Sequence, residues 1–130
     1  MDRTQVARWV AAYERAWRAP GTDALATIFT ADARYLQGPY RQPVVGLPAI
    51  ARMWDSEREG PDEAFRMTSD VVAVEGDTAV VRVEVRYGDP VHQEYRDLWV
   101  ITFADDGRCG AFEEWPFWPG QLIAGHAAPT

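Results

Sequence analysis

The segment TAVVRVEVRY, residues 78–87, decides the fold class of this chain. Two sets of side chains alternate along it: Val81, Val83 and Val85 against Arg82, Glu84 and Arg86. Successive side chains of a β-strand point to opposite faces of a sheet, so this pattern predicts a strand with its valines in a core. The charged set is interpreted as a strip that faces solvent or a subunit contact.

Segments on both sides of this strand also have patterns that are typical of strands and helices. Turn residues separate the predicted further strands, which are 33–36, 65–75, 94–103 and 108–116. Apolar residues at helical spacing predict three helices: 3–18, a short one capped by Thr22 or Asp23 that ends at Phe29, and about 47–59. A Pro/Gly-rich loop is expected at 38–48. The prediction is a single α+β domain, 1–130, with a core of about 4–120, a curved, mostly antiparallel sheet and a flexible tail at 121–130.

The composition argues against several classes of function. A formal net charge of -7 disfavours binding to nucleic acid or to anionic lipid. The chain has no lysine, which excludes Schiff-base chemistry through a lysine amine. One cysteine allows no internal disulfide, and two distant histidines make no metal site. Without an apolar membrane span or signal-like N-terminus, a cytoplasmic protein is expected, and the lysine-free composition is typical of a GC-rich bacterial genome.

Three short motifs occur in a familiar order: FTADARY (29–35), GLPAI (46–50) and DGRC (106–109). With the order of helices and strands, they make nearly the whole chain resemble the nuclear transport factor 2-like superfamily and its SnoaL-like branch. The resemblance implies a cone-shaped barrel, in which a curved sheet wraps around a pocket and three helices close its open side. It also implies a homodimer formed through the sheet.

That superfamily contains ketosteroid isomerases, scytalone dehydratase, limonene epoxide hydrolase, polyketide cyclases and non-catalytic binding modules, so fold alone selects no function. Its enzymes use one or two pocket carboxylates with Tyr, His or Arg partners, and typically no cofactor. We therefore expect no cofactor and no metal.

Adjacent glutamates lie in the last predicted strand, in FEEWPFWPG (112–120). Alternation sends Glu113 and Glu114 to opposite faces, so they are not a catalytic dyad. The resemblance to limonene epoxide hydrolase places Glu114 where that enzyme has its catalytic aspartate. Two interpretations are open: a pocket acid with a raised pKa, or a structural carboxylate paired with an arginine.

Two arginines could accompany this glutamate. Arg82 and Glu84 match an Arg-x-Asp motif of the same hydrolase, although a solvated strip is the simpler interpretation. Arg96 would pair with Glu114 across the last hairpin, either as an anion-binding group for substrate or as a structural counter-ion.

The remaining candidates are a histidine and a set of aromatic residues. His92 lies near the expected mouth of the cone and could shuttle protons. Tyr13 and Tyr35 are the candidate hydroxyl donors to a substrate carbonyl. The predicted substrate-binding residues are Trp9, Trp17, Tyr35, Tyr40, Trp54, Trp99, Phe112 and Trp118.

The sequence therefore favours a small cofactor-independent enzyme that runs acid/base chemistry on an apolar or aromatic ligand, with Glu114, Tyr13, Arg96 and His92 as catalytic candidates. Isomerase, dehydratase, cyclase and hydrolase types all remain open. The alternative is a non-catalytic ligand-binding or dimerisation module, in which Arg96 and Glu114 merely neutralise each other.

Overall fold

The structure is a computed structural model that describes residues 1–58 and 63–121. Its helices are α1 (Arg3–Arg18), α2 (Leu25–Ile28) and α3 (Leu47–Glu57). Its strands are β1 (Phe29–Leu36), β2 (Val44–Val45), β3 (Phe65–Glu75), β4 (Thr78–Tyr87), β5 (Gln93–Phe103) and β6 (Cys109–Phe117). The end of the third predicted helix at about 59 and most of the predicted tail, with His126, lie outside the described residues.

Helix α1 has the bounds that its apolar spacing predicts. A capping box begins it: the Asp2 side chain accepts a hydrogen bond from the Gln5 backbone at 2.8 Å, and the Gln5 side chain accepts one from the Asp2 backbone at 2.9 Å. At its far end, the partly buried Arg58 guanidinium donates to the carbonyl oxygens of Ala19, at 3.0 Å, and Gly21, at 2.9 Å. These bonds satisfy backbone groups beyond the helix end and tie α1 to α3.

The six strands form one mixed sheet in the order β2-β1-β6-β5-β4-β3. All neighbours are antiparallel except β1 and β6, which run parallel, with Tyr35 opposite Phe112. The predicted α+β class and the curved, mostly antiparallel sheet are confirmed. The sheet does not close into a barrel, because β2 and β3 remain its two edges.

The helices pack against the inner face of the sheet and bury one continuous core. Core residues from α1, such as Val6 and Val10, meet strand residues such as Val81, Ile101 and Phe103. On β4 the predicted alternation is confirmed, since the valines at 81, 83 and 85 are buried and Arg82 is exposed. The opposite, outer face of β4 carries the charged residues Arg82, Glu84 and Arg86.

Three details of the prediction are wrong. Strand β1 begins at Phe29 and not at Ala33, because its first half pairs with β6 through an irregular register. The loop 38–48 contains the short strand β2, which pairs with β1. Helix α2 has no side-chain cap from Thr22 or Asp23, since its N-cap is Ala24 and the Leu25 amide donates to the Thr22 carbonyl.

Candidate functional site

A cavity of about 400 Å³ lies between the inner face of the sheet and helices α1 and α3. Much of its wall is aromatic, with side chains from four elements and from the residue after β6: Trp17, Tyr35, Tyr87, Tyr95, Trp99 and Trp118. Four carboxyl side chains also border it: Glu57, Glu63, Asp97 and Glu114. The cavity therefore combines flat apolar surfaces with acidic groups, which is the composition of a small-molecule site.

Two of these carboxyls, Asp97 on β5 and Glu114 on β6, touch each other. The register places Glu114 opposite Trp99, two residues from Asp97, so both acidic side chains point to the inner face. Asp97 is only 7% exposed, and its carboxyl lies close enough to that of Glu114 for each group to shift the pKa of the other. Two neighbouring carboxyls that are shielded from water repel each other when both are ionised, so the pair favours one shared proton.

The surroundings of the pair decide which member holds that proton. Burial, followed by the negative charges of Asp97 and Glu57, raises the pKa of Glu114 well above its ordinary value. Burial also raises the pKa of Asp97, to about 6, against the hydrogen bonds from Trp99 and Glu114, which lower it. The indole nitrogen of Trp99 donates to Asp97 Oδ2 at 3.4 Å. Glu114 is thus the proton donor of the pair and Asp97 the acceptor.

A pair of tyrosine hydroxyls lies on the same cavity wall. The hydroxyls of Tyr13, on α1, and Tyr35, on β1, are 2.5 Å apart. Burial raises the pKa of both phenols well above the usual value, and the negative charge of Glu114 raises each further. Both phenols are therefore neutral at physiological pH; one hydroxyl donates to the other, and the accepting hydroxyl keeps a hydrogen that it can donate to a ligand oxygen.

Most of the predicted site residues lie in the cavity wall. Among the catalytic candidates, these are Glu114, Tyr13 and His92, the last of them exposed at one edge. Among the predicted substrate-binding residues, they are Trp17, Tyr35, Trp99 and Trp118. Glu113 points away from the cavity, as alternation requires.

Arg96 does not lie beside Glu114, so the predicted buried pair is wrong. Its side chain is 69% exposed on the outer face and forms an ion pair with Glu84 at 3.5 Å. The prediction grouped Arg96 with Leu98 and Val100 as inward-facing. The inner face of β5 instead carries Asp97 and Trp99, which alternate with them.

Four of the predicted substrate-binding residues do not line the cavity. Tyr40 lies in the exposed loop and is 99% exposed. Trp9 and Trp54 are core residues, and the Trp9 indole donates to the Ile28 carbonyl at 2.9 Å. Phe112 packs between Tyr35 and Trp99 beneath the cavity wall, with ring centroids 4.6 and 4.9 Å away. The sequence could not separate core aromatics from lining aromatics, because both kinds recur with the same spacing.

Arg82 and Glu84 also belong to the outer face. Arg82 pairs with Asp70 at 3.2 Å, and Glu84 pairs with Arg86 at 3.6 Å as well as with Arg96. The hydrolase-like arrangement of Arg82 and Glu84 around a water beside Glu114 is therefore wrong, and the simpler interpretation as a charged outer strip is confirmed.

Asp97 is the main site residue that sequence reasoning missed. Strand alternation put it on the face opposite Arg96, but the prediction pursued Arg96 as the partner of Glu114. The signal was its spacing of two from both Tyr95 and Trp99, which places it among aromatic side chains. Glu57, Tyr87 and Tyr95 were not singled out either, although all line the cavity.

The described residues, 1–58 and 63–121, contain no cluster of three or more His, Cys, Asp or Glu side chains arranged to hold a metal ion. Within the same residues, no helix has the length and apolar character needed to cross a bilayer.

Comparisons with known proteins agree with this architecture. A protein from Sinorhizobium meliloti assigned as a polyketide cyclase is 26% identical, with a TM-score of 0.64 over 82% of this chain and 93% of that one. Two further structures share the fold. One, from Jannaschia sp. CCS1, is assigned as a SnoaL-like polyketide cyclase and has 21% identity, a TM-score of 0.69 and coverage of 89% and 90%. The other, from Kribbella flavida, is assigned as a ketosteroid isomerase and has 19% identity, a TM-score of 0.64 and coverage of 98% and 90%.

The search of curated proteins found no significant match. The sequence model of the SnoaL-like domain, however, matches residues 8–110, which include most of α1, the other two helices and strands β1 to β5. The chain therefore belongs to the SnoaL-like domain family.

Proposed function

We propose that this protein is a cofactor-independent enzyme that transfers protons on a small, flat ligand bound in the cavity. The observation that supports this most is the Asp97–Glu114 pair, which borders a cavity and forms no ion pair with an arginine among the described residues. Buried carboxyls that need only a structural role are normally neutralised by a cation. A pair left to share a proton has a basic and an acidic member ready at once.

The two carboxyls would divide the acid/base work. Asp97, with a pKa of about 6, is mainly a carboxylate at neutral pH and can accept a proton from substrate. Glu114 keeps its proton and can deliver it to another atom of the same ligand. A residue pair of this kind can move a proton between two carbon atoms, or remove one during dehydration or cyclisation.

The tyrosine pair would stabilise the charge that such a step creates. When a proton leaves a carbon next to a carbonyl, negative charge develops on the carbonyl oxygen. The hydrogen-bonded hydroxyls of Tyr13 and Tyr35 are neutral and have one hydrogen left to donate, on the same wall as the carboxyl pair. The assignments of the similar structures as polyketide cyclases and a ketosteroid isomerase also favour a carbonyl compound as substrate. His92, at the edge of the cavity, would exchange protons with solvent.

The non-catalytic alternative has less support. It required a closed Arg96–Glu114 pair in a filled core, whereas Arg96 lies on the outer face and Glu114 borders an open cavity. We further propose a cytoplasmic homodimer formed through the outer face, where Leu98, Trp115 and Phe117 are partly exposed. Sedimentation at micromolar concentration tests this, and a monomer at all concentrations would contradict it.

An assay of carbon-bound hydrogen exchange tests the proposed chemistry without knowledge of the natural substrate. A panel of flat cyclic ketones, with and without amine substituents, is incubated with the protein in deuterated water. Deuterium uptake beside the carbonyl is followed by NMR. We expect acceleration for at least one ketone, and a loss of about 100-fold or more in the Glu114→Gln variant, because one general acid/base group contributes about that much.

The matched control is Glu84→Gln, which makes the same change on the outer face and should leave the rate within about twofold. Circular dichroism of each variant confirms that the fold is retained. A Glu114→Gln variant with undiminished exchange, or a wild type that accelerates no member of the panel, would contradict the proposal.

A further inference from the structure

We infer that the cavity selects a ligand whose flat apolar body carries a positively charged nitrogen, and that it disfavours both anions and uncharged analogues. This inference rests on the proposed small-molecule site, but it does not depend on the cavity being catalytic.

The charges around the cavity are unbalanced. Glu57 from α3 and the Asp97–Glu114 pair from β5 and β6 contribute carboxyl groups from two sides. Even with one proton shared by the pair, two negative charges remain, one on Glu57 and one on the pair. Among the described residues, the only arginine in the lining is Arg41, which is exposed in the loop after β1. The potential inside the cavity is therefore negative.

A buried acceptor atom is a second and independent observation. Asp97 is 7% exposed, and its Oδ1 atom is buried without a hydrogen bond from any N–H or hydroxyl group of the described residues. The carboxyl of Glu114 can serve as its donor only by means of the shared proton. An ammonium group of a ligand supplies both the N–H donors and the charge that this carboxylate lacks.

The aromatic wall suits the same ligand. Tyr87 and Tyr95 meet edge to face, with centroids 6.1 Å apart, and Tyr95 meets Trp118 at 6.1 Å in the same manner. Trp99 lies deeper, opposite Glu114 on the neighbouring strand. The faces of such rings attract organic cations, and stacking on them accommodates a flat apolar body.

Other ligand classes fit these surroundings less well. An uncharged apolar molecule would displace water from the carboxylates and offer them no donor, which leaves their desolvation uncompensated. An anion would add repulsion from every carboxylate and would find the Arg41 guanidinium only in the loop after β1. Only a cation gains from both the negative potential and the rings.

Three probes of nearly the same shape test the inference by calorimetric titration at pH 7.5: 2-naphthylmethylammonium, 2-naphthalenemethanol and 2-naphthoate. We expect the ammonium to bind about tenfold or more tightly than the alcohol, and the carboxylate to bind most weakly. In Glu57→Gln the affinity for the ammonium should fall about threefold or more, while that for the alcohol changes less than about twofold.

The matched control is Glu75→Gln, which removes one negative charge at the β3–β4 hairpin. Glu75 is the last residue of β3, whereas Phe65 and Met67, which line the cavity, lie at the other end of that strand. It should leave the preference for the ammonium unchanged. An equal loss in Glu75→Gln and Glu57→Gln would overturn the inference, because the preference would then follow from overall net charge.

The outcomes separate this inference from the proposed function. If the alcohol or the carboxylate binds as tightly as the ammonium, the inferred charge selection fails and the small-molecule site stands. If none of the three probes binds, the selection fails together with the small-molecule site itself. Deuterium exchange that depends on Glu114 would support the proposed chemistry whichever of the three probes binds most tightly.

Discussion

The two faces of strands β4, β5 and β6 carry similar acidic residues in opposite electrostatic surroundings. On the outer face, Glu84 lies between Arg86 and Arg96, in contact with water. On the inner face, Asp97 and Glu114 lie next to each other among neutral and acidic groups of the cavity wall, and neither pairs with an arginine of the described residues. Along β5, the adjacent residues Arg96 and Asp97 point to these two different surroundings.

This difference shows how a small fold can prepare a reactive group. Exposed ion pairs contribute little to stability, because water already solvates both partners well. A carboxyl pair that is held away from water and cations instead keeps a proton at neutral pH, at a cost to the folded state. The curved sheet makes both arrangements possible with one set of hydrogen-bonded strands.

The largest expected effect comes from placing the same polar side chain on each face. Val81→Gln puts an amide into the fully buried inner face, whereas Arg82→Gln changes the next residue on the exposed outer face. We expect Val81→Gln to lower the free energy of unfolding by about 3 kcal/mol, and Arg82→Gln by less than about 1 kcal/mol. Urea unfolding of both variants measures this; equal losses would mean that the two faces are not distinct.

A second, smaller effect is a dependence of stability on pH that comes from the inner face. The folded protein holds the Asp97 proton more tightly than the unfolded chain does, since burial raises the pKa from 3.8 to about 6. This stabilising contribution is complete at a pH below 3.8 and is lost as the pH rises through about 6. We expect it to decrease by about 1.5 kcal/mol between about pH 5 and 7.5.

The Asp97→Asn variant should lose this component. Its unfolding free energy, measured in urea across the same pH range, should therefore fall less than that of the wild type. Glu84→Gln, on the outer face, should keep the wild-type slope. A slope that stays in Asp97→Asn would show that another group carries the proton.

The smallest effect on fold stability is expected from Trp115, an outer-face residue that is 38% exposed. If the outer face forms the proposed dimer, Trp115→Gln should raise the dissociation constant about tenfold or more, because buried tryptophans are frequent interface hot spots. The unfolding free energy of the monomer should change by less than about 1 kcal/mol. Sedimentation and urea unfolding separate the two effects, and an unchanged dissociation constant would contradict the assignment of the interface.

The elements of this fold could be predicted well where the signal is local. Helix α1 and strand β4 have strong periodicities, and their observed bounds match the predicted ones. Strand β1 was predicted four residues short, because its first half is defined by a parallel pairing with β6, which lies about eighty residues away in the chain. A pairing partner that is so distant in the chain produces no pattern in the sequence next to β1.

The candidate site was only partly predictable for a related reason. Alternation separated Glu113 from Glu114 and Arg96 from Asp97, but each strand allows two choices of inner face. For β6 the resemblance to a known turn led to the inward residue. For β5 the apolar neighbours Leu98 and Val100 suggested the wrong face, because the outer face of this sheet is itself partly apolar.

The sequence by itself determined an α+β chain with an acidic, lysine-free composition, an aromatic interior and a last strand with Glu113 and Glu114 on opposite faces, since these follow from composition and local period. Only the tertiary structure decided that the partner of Glu114 is Asp97 and that Arg96 lies on the far side of the sheet. The register between β5 and β6 sets this choice, and a shift of one residue in that register would exchange the two faces. The proton that the pair holds is thus a consequence of strand pairing and burial, which no single segment of the chain encodes.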